Sequence, residues 1–142
     1  MAVKRKLIIF DKIKEIEYSL NLVQENMPQG PEQFKSLGLL KDGIMKRTEF
    51  MIQNIIDICA VLSSDLKLEK PNSEDDIIDN MGRAGILSHN LVSKIHEMKG
   101  MRNVLVHRYG KIDDGLVYES LTGDLDDIDI FVNRIREFLD GN

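Results

Sequence analysis

The sequence predicts an all-α protein, an antiparallel four-helix bundle with one additional short helix, and three observations predict it. Apolar residues recur at steps of three and four through four long segments, as one face of an α-helix requires. Only three Pro and ten Gly are spread over 142 residues, and 6% of the chain is aromatic, which disfavours a turn-rich sandwich of strands. Hydrophobic residues at 42% against 30% charged can bury one core at this chain length, so a single domain over 1–142 is expected.

The first helix carries Ile9, Ile13, Ile16, Leu20 and Val23 at steps of four, three, four and three. It stops at Met27-Pro28-Gln29-Gly30-Pro31, where two prolines and a glycine cannot continue it. Ile44, Met51, Ile55, Ile58 and Leu62, widened by Ile52, Ile56 and Cys59, predict a second helix that starts near Pro31 or Lys41 and ends at about Leu66. A connection over 67–72 contains Pro71, and Ser73 ahead of Glu74, Asp75 and Asp76 reads as an N-cap with acids in the first turn of a short helix to about Met81. Gly82 and Gly85 then interrupt the chain. Leu91, Ile95, Met98 and Leu105 define the stripe of a helix from about Ser88 to Tyr109, in which Gly100 costs ~1 kcal/mol relative to Ala and permits a bend. The last helix reads Val117, Leu121, Leu125, Ile128, Val132, Ile135 and Leu139.

Charge and composition exclude several classes of function. The 24 acids outnumber the 19 Lys and Arg, giving a formal charge of −5, so the chain does not coat nucleic acid through a general positive field. The charges are segregated, however. Residues 94–111 hold Lys94, Lys99, Arg102, Arg108 and Lys111 with one acid, Glu97, whereas 113–129 hold seven acids and no Lys or Arg. The lone Cys59 sits in an apolar run and reads as a buried thiol, in keeping with a reducing compartment. The N-terminal apolar stretch 7–10 is too short for a signal peptide, and no run approaches the ~20 apolar residues of a membrane span, so a soluble, cytoplasmic protein is expected.

Most catalytic motifs are missing: no Walker-type phosphate loop, no G-x-S-x-G, no C-x-x-C and no H-E-x-x-H. Asp124-Leu125-Asp126-Asp127-Ile128-Asp129 opens like a calcium loop, but Ile128 stands at a ligand position and no glycine follows, so it reads as a solvated acidic helix start. His89 and His96, seven residues apart on one helix, lie about 10 Å from each other and read as surface histidines that do not share a metal.

The unusual segment is Met101-Arg102-Asn103-Val104-Leu105-Val106-His107-Arg108-Tyr109. At about 100° per residue, Arg102 and Tyr109 fall beside the apolar stripe, which points a guanidinium toward an interior or an interface. A buried Arg must be paired, and Glu49 or Asp57 on the second helix are the candidate acids. The alternative is that Arg102, Asn103 and His107 converge on a phosphate: Arg clamps it in a bidentate fork, and His, with an ordinary pKa near neutrality, exchanges protons. For RNA such a set needs no metal or cofactor, because the 2′-hydroxyl is an internal nucleophile. Lys99, Arg108 and Lys111 flank the set and are the candidates for substrate binding.

Arg102-Asn103, three residues, then His107-Arg108-Tyr109 resembles the R-x4-H-x-Y signature of the HEPN superfamily, and within it the HepT-like toxin proteins. Chain length, helical composition, the long second helix and a late signature followed by one closing helix fit the same family. The resemblance implies a homodimeric all-helical fold and metal-independent endoribonuclease activity at a dimer-interface cleft. It further implies an antitoxin partner with a minimal nucleotidyltransferase (MNT) fold, which adds AMP to the signature tyrosine, here Tyr109. Arg102 and His107 would be catalytic, with Asn103 orienting His107 or a phosphate oxygen. A binding module that recognises a nucleotide or a partner protein without cutting would need the same Arg, and a purely structural bundle would need Arg102 only for folding. Val92, Val104 and Val106 lie off the main stripe of the motif helix, which suggests that a second copy covers some of them.

Overall fold

The computed structural model describes residues 2–108 and 110–142. It contains six helices and, among the described residues, no strand: α1 (Lys6–Asn26), α2 (Pro31–Lys35), α3 (Leu39–Asp65), α4 (Glu74–Arg83), α5 (His89–His107) and α6 (Asp114–Asp140). The four long helices form a closed ring in which α1 packs on α3, α3 on α5, α5 on α6, and α6 back on α1, while α4 lies across α3 and α5 and α2 lies on α6. Cross-helix contacts fix the directions. Arg5 reaches Asp65 while Arg47 reaches Ser19, so α1 and α3 run antiparallel. The Val3 amide donates to the Asn142 carbonyl and Arg136 pairs with Glu17, so α6 returns antiparallel to α1.

The apolar stripes read from the sequence form the core. All the stripe residues named above on the first, second, motif and last helices are buried, and Cys59 is among them, its thiol pushed up to about 12 by burial. Phe34 and Phe131, two of the largest fully buried side chains, complete the packing.

Of the two starts expected for the second helix, the one near Lys41 holds: α3 begins at Leu39, just after Gly38 at φ +64°, and Pro31 opens the separate short α2. α2 is anchored through the Phe34 ring, 5.7 Å from that of Tyr118, whose hydroxyl donates to the Pro28 carbonyl. Gly100 does not interrupt α5, which is continuous over its 19 residues. The short α4 is where it was expected, with the Ser73 hydroxyl accepting from the Asp76 amide as N-cap. The entry into α1 is tied to the end of α3: the Asp65 carboxylate accepts from the amides of Lys4 and Arg5, just ahead of the helix, and from the Arg5 guanidinium. Burial raises the Asp65 pKa, but the Arg5 amide and guanidinium outweigh it and hold the carboxyl below its ordinary value.

Val92 is covered within the chain, not by a second copy: α4 lies over it, and a Cβ on Gly82 would come within 3.1 Å of its Cγ2. Val104 is half-buried and Val106 exposed. The aspartates at 124–129 are inside α6, ten residues or more past its first residue, so they make neither a calcium loop nor a helix start. His89 is exposed, as expected of a surface residue, and His96 is half-buried between two carboxylates of α4, Asp75 at 3.0 Å and Asp79 at 2.7 Å. No helix described is long and apolar enough to cross a membrane.

Where α5 and α6 pass each other they leave an acidic groove that includes Gly100, Gly123, Asp124 and Asp127. Asp124 Oδ2 is buried there without a hydrogen-bonding partner in the chain. Burial first, then Asp127 and Glu97, push its carboxyl up to about 6 against the pull of Lys94. For an acid with a raised pKa the protonated native state is favoured, so stability falls as pH rises from about 4 through about 6. Asp124→Asn is therefore expected to raise stability at pH 7 by about 1–2 kcal/mol, the linkage value discounted for partial exposure. It should also flatten the pH dependence across that window, as read by urea unfolding at several pH values.

Candidate active site

The motif segment opens onto a cleft of about 340 Å³ between α3 and α5. One wall is Lys46, Glu49, Phe50 and Gln53 of α3. The other is Arg102, Asn103, Val106 and His107 of α5, and Glu74 of α4 closes one end. The helical period explains the second wall. Arg102 continues the buried stripe of Leu91, Ile95 and Met98 at a further step of four, while Asn103 and His107 stand one turn apart on the adjoining, more open side.

Arg102 is only 8% exposed, and each of its five N–H groups has an acceptor in the chain. Nη1 donates to Glu74 Oε2 at 2.9 Å and to Gln53 Oε1 at 2.9 Å. Nη2 donates to Glu74 Oε1 at 2.5 Å and to Asn103 Oδ1 at 2.7 Å, and Nε donates to the same Asn103 oxygen at 3.2 Å. The Glu74 carboxylate thus meets the guanidinium fork to fork, the strongest geometry available to the pair. The hydrogen bond from Arg102 holds the Glu74 carboxyl below its ordinary pKa, and Glu74 in turn raises that of Arg102.

The acid paired with Arg102 is Glu74, and neither Glu49 nor Asp57 as expected. Glu49 is engaged by Lys46 at 3.2 Å, and Asp57 by Lys12 at 3.6 Å and by the Gln53 amide at 2.9 Å. Both acids still act on Arg102 at longer range, and Asp57 also steadies the Gln53 side chain whose oxygen Arg102 uses. With its oxygen taken by Arg102, Asn103 has its two Nδ2 donors left to offer a ligand. His107 is the last residue of α5, exposed at the cleft.

The flanking cations are distributed differently from the expectation. Lys99 is turned to α4, where it pairs with Asp75 at 3.1 Å, and it does not line the cleft. Its hydrogen bond is the main reason the Asp75 carboxyl lies below its ordinary pKa. Arg108 and Lys111 are exposed past the end of α5, joined by a turn bond from the Lys111 amide to the Arg108 carbonyl, and do not line the cleft either. Tyr109 lies outside the described residues. Lys46 and Phe50, which no sequence motif singles out, line the cleft instead. No group of three or more His, Cys, Asp or Glu able to hold a metal ion occurs among the described residues.

Comparison with known proteins agrees with this architecture. The family described as "Ribonuclease HepT-like" matches residues 13–135. The chain is 25% identical over 129 residues to an mRNA nuclease HepT of Shewanella oneidensis, covering 91% of this chain and 96% of the relative. Among solved structures it superposes on YutE, a cytosolic protein of Bacillus subtilis, with a TM-score of 0.85 at 18% identity, covering 99% of this chain and 94% of the other. A tri-AMPylated HEPN toxin of Shewanella oneidensis in complex with MNT antitoxin matches with a TM-score of 0.82 at 24% identity, covering 92% and 97%. These two likenesses establish the all-helical fold.

The Arg102–Glu74 fork should make α4 docking sensitive to acid. A carboxyl held below its ordinary pKa contributes stability that is present above about pH 4 and lost as pH falls through the lowered value. Glu74→Gln is expected to cost about 1–2 kcal/mol at pH 7, a modest figure because Glu74 is partly exposed. The cost should shrink as the parent protein is acidified below pH 4, as measured by urea unfolding of both proteins.

Proposed function

The chain belongs to the HepT-like ribonuclease family, and from that premise we propose that it is the toxin of a toxin–antitoxin pair, an endoribonuclease that cuts RNA in the α3–α5 cleft without a metal ion. The observation that carries this reading is the meeting of Arg102, Asn103 and His107 at one cleft. In the reaction the 2′-oxygen attacks the neighbouring phosphorus, the bond from phosphorus to the 5′-oxygen breaks, and the product is a 2′,3′-cyclic phosphate with a free 5′-hydroxyl. One proton leaves the 2′-hydroxyl and one arrives on the 5′-oxygen. His107 is the group placed to carry such a proton, and Asn103 Nδ2 is a donor for a phosphate oxygen or for the imidazole. Arg102 would hold the scissile phosphate in the fork that Glu74 now fills, exchanging one anion for another.

A homodimer is part of this reading. Lys41 pairs with Asp114 and so gathers the exposed Leu39, Leu40 and Leu116 at one end of the bundle, an apolar surface that a second copy would cover. Sedimentation at micromolar concentration should then give about twice 16.3 kDa. The nuclease relative acts on mRNA and the AMPylated relative was solved with an MNT antitoxin. By the same token the partner of this chain is an MNT-type nucleotidyltransferase, Tyr109 is its AMP acceptor, and both work in the cytoplasm. An AMP phosphodiester two residues past His107 in the sequence, between Arg108 and Gly110, adds negative charge to the basic end of the motif segment.

The full commitment of the Arg102 donors favours one second reading, a non-catalytic module that binds a nucleotide or the partner. Growth separates the two, since expression of a nuclease toxin alone should arrest a bacterium and a binding module should not.

Purified protein incubated with RNA and EDTA is expected to cut, and His107→Ala to slow cleavage by about 10²–10⁴-fold. Cleavage that persists in the variant, or that EDTA abolishes in the parent, would overturn the assignment. Co-expression with the nucleotidyltransferase should add AMP, seen by intact mass, and Tyr109→Phe should lose the addition. A parent chain silenced by the partner yet unmodified would leave occlusion of the cleft in its place.

A further inference from the structure

With all five Arg102 donors and the Asn103 oxygen committed, the cleft has one other cation in its described lining, Lys46, and one aromatic ring, Phe50. They stand four residues apart on α3, on the same face and about 6 Å apart along the axis, a span that one nucleotide can bridge. The Lys46 side chain is 76% exposed and is held by an (i, i+3) pair with Glu49, the kind of surface ion pair that a competing anion exchanges at little cost. Phe50 is 40% exposed and lines the cleft, so part of its ring is open to a ligand there. The described lining carries Lys46 and Arg102 against Glu49 and Glu74, a formal balance of zero. Capture of an RNA strand by this cleft therefore rests on local groups and not on a general field.

We infer that Lys46 and Phe50 form a nucleotide subsite of single-stranded RNA beside His107, in which Phe50 stacks on a base and Lys46 pairs with the phosphate of the same nucleotide. The inference rests on the ribonuclease reading of the cleft and adds the substrate contact on α3. A ring open to one side suits a base face whatever the base, and unpaired bases of single strands are the ones free to stack. Duplex RNA does not offer such a face, so the subsite selects loops and single-stranded stretches.

The test uses the full chain and a short single-stranded RNA, with cleavage kinetics on the all-ribose strand and equilibrium binding on a strand made uncleavable by a 2′-deoxy substitution at the scissile position. Phe50→Leu keeps an apolar side chain and removes the ring; the expected result is a KM and Kd raised about 5- to 100-fold with kcat within about threefold. An abasic site at the stacked nucleotide should weaken binding to the parent by a similar factor and to Phe50→Leu by much less. Lys46→Gln should lower the slope of log Kd against log salt by about 0.7. If the parent cuts RNA through His107 while both variants keep its KM, Kd and salt slope, the subsite is overturned and the nuclease reading stands. If the parent binds no RNA, both are overturned. If Phe50→Leu instead converts a dimer to a monomer in sedimentation with Kd unchanged, Phe50 belongs to a contact between copies and the subsite is overturned.

Discussion

A guanidinium that is only 8% exposed is tolerable only when every one of its donors is answered, because an unpaired interior charge costs several kcal/mol. Arg102 is answered from three helices: Gln53 on α3, Glu74 on α4 and Asn103 on its own α5. The bond to Glu74 fastens α4, a helix of ten residues that is too short to persist in water without packing partners. The bond to Gln53 sets the spacing of α3 and α5 and so the width of the cleft. The bonds to Asn103 fix which end of that amide remains for a ligand. One side chain thereby determines the closed end, the width and part of the hydrogen-bonding character of the site.

The electrostatics of α5 follow from the same docking. The segment 94–111 is basic in sequence, yet α4 presents Glu74, Asp75 and Asp79 to it, and these carboxylates engage Arg102, Lys99 and His96. The positive charge along the middle of the helix is therefore used inside the fold. What stays open is the C-terminal end, with His107, Arg108 and Lys111, together with Lys46 across the cleft on α3. A polyanion approaching the cleft meets these cations, while the α6 surface, acidic from Asp113 onward, repels it.

The long helices were legible in the sequence because each has a single apolar stripe whose period admits one structure, and all the residues on those stripes are buried. Arg102, Asn103 and His107 were legible for a related reason, as polar residues beside a stripe in a recognisable spacing. Which of Pro31 and Lys41 marks the start of the second helix was not, since nothing in the pattern around Ile44 shows that the backbone turns to positive φ six residues earlier. The partner of Arg102 was not legible either. Glu49, Asp57 and Glu74 are each an acid on a helix that could pack against α5, and the choice among them depends on the crossing of α4 over α3 and α5. Ser73 and Glu74 identify the start of α4 but carry no signal of what its first acid faces. Val92 misled for the same reason: an apolar residue off the stripe looks uncovered until the position of Gly82 on α4 is known. Lys46 and Phe50 belong to no motif and acquire meaning only from what stands opposite them across the cleft.

Folding and substrate capture make opposite demands on Arg102, and the geometry reconciles them. A phosphate can occupy the fork that Glu74 fills with the same number of charge-assisted bonds, so exchanging the two anions costs little in hydrogen bonding. What the exchange removes is the tie between α4 and the bundle, leaving that helix held by Asp75 and Asp79 against His96 and Lys99 and by its buried Ile78 and Met81. On the proposed reading, phosphate binding and release of the Glu74 end of α4 are then one equilibrium, and by linkage whatever steadies α4 weakens phosphate binding at Arg102 to the same degree. Asn103 shares the guanidinium through a separate pair of bonds, so it keeps its orientation toward the cleft whichever anion Arg102 holds. The chemistry beside His107 is insulated in this way from the exchange that admits the substrate.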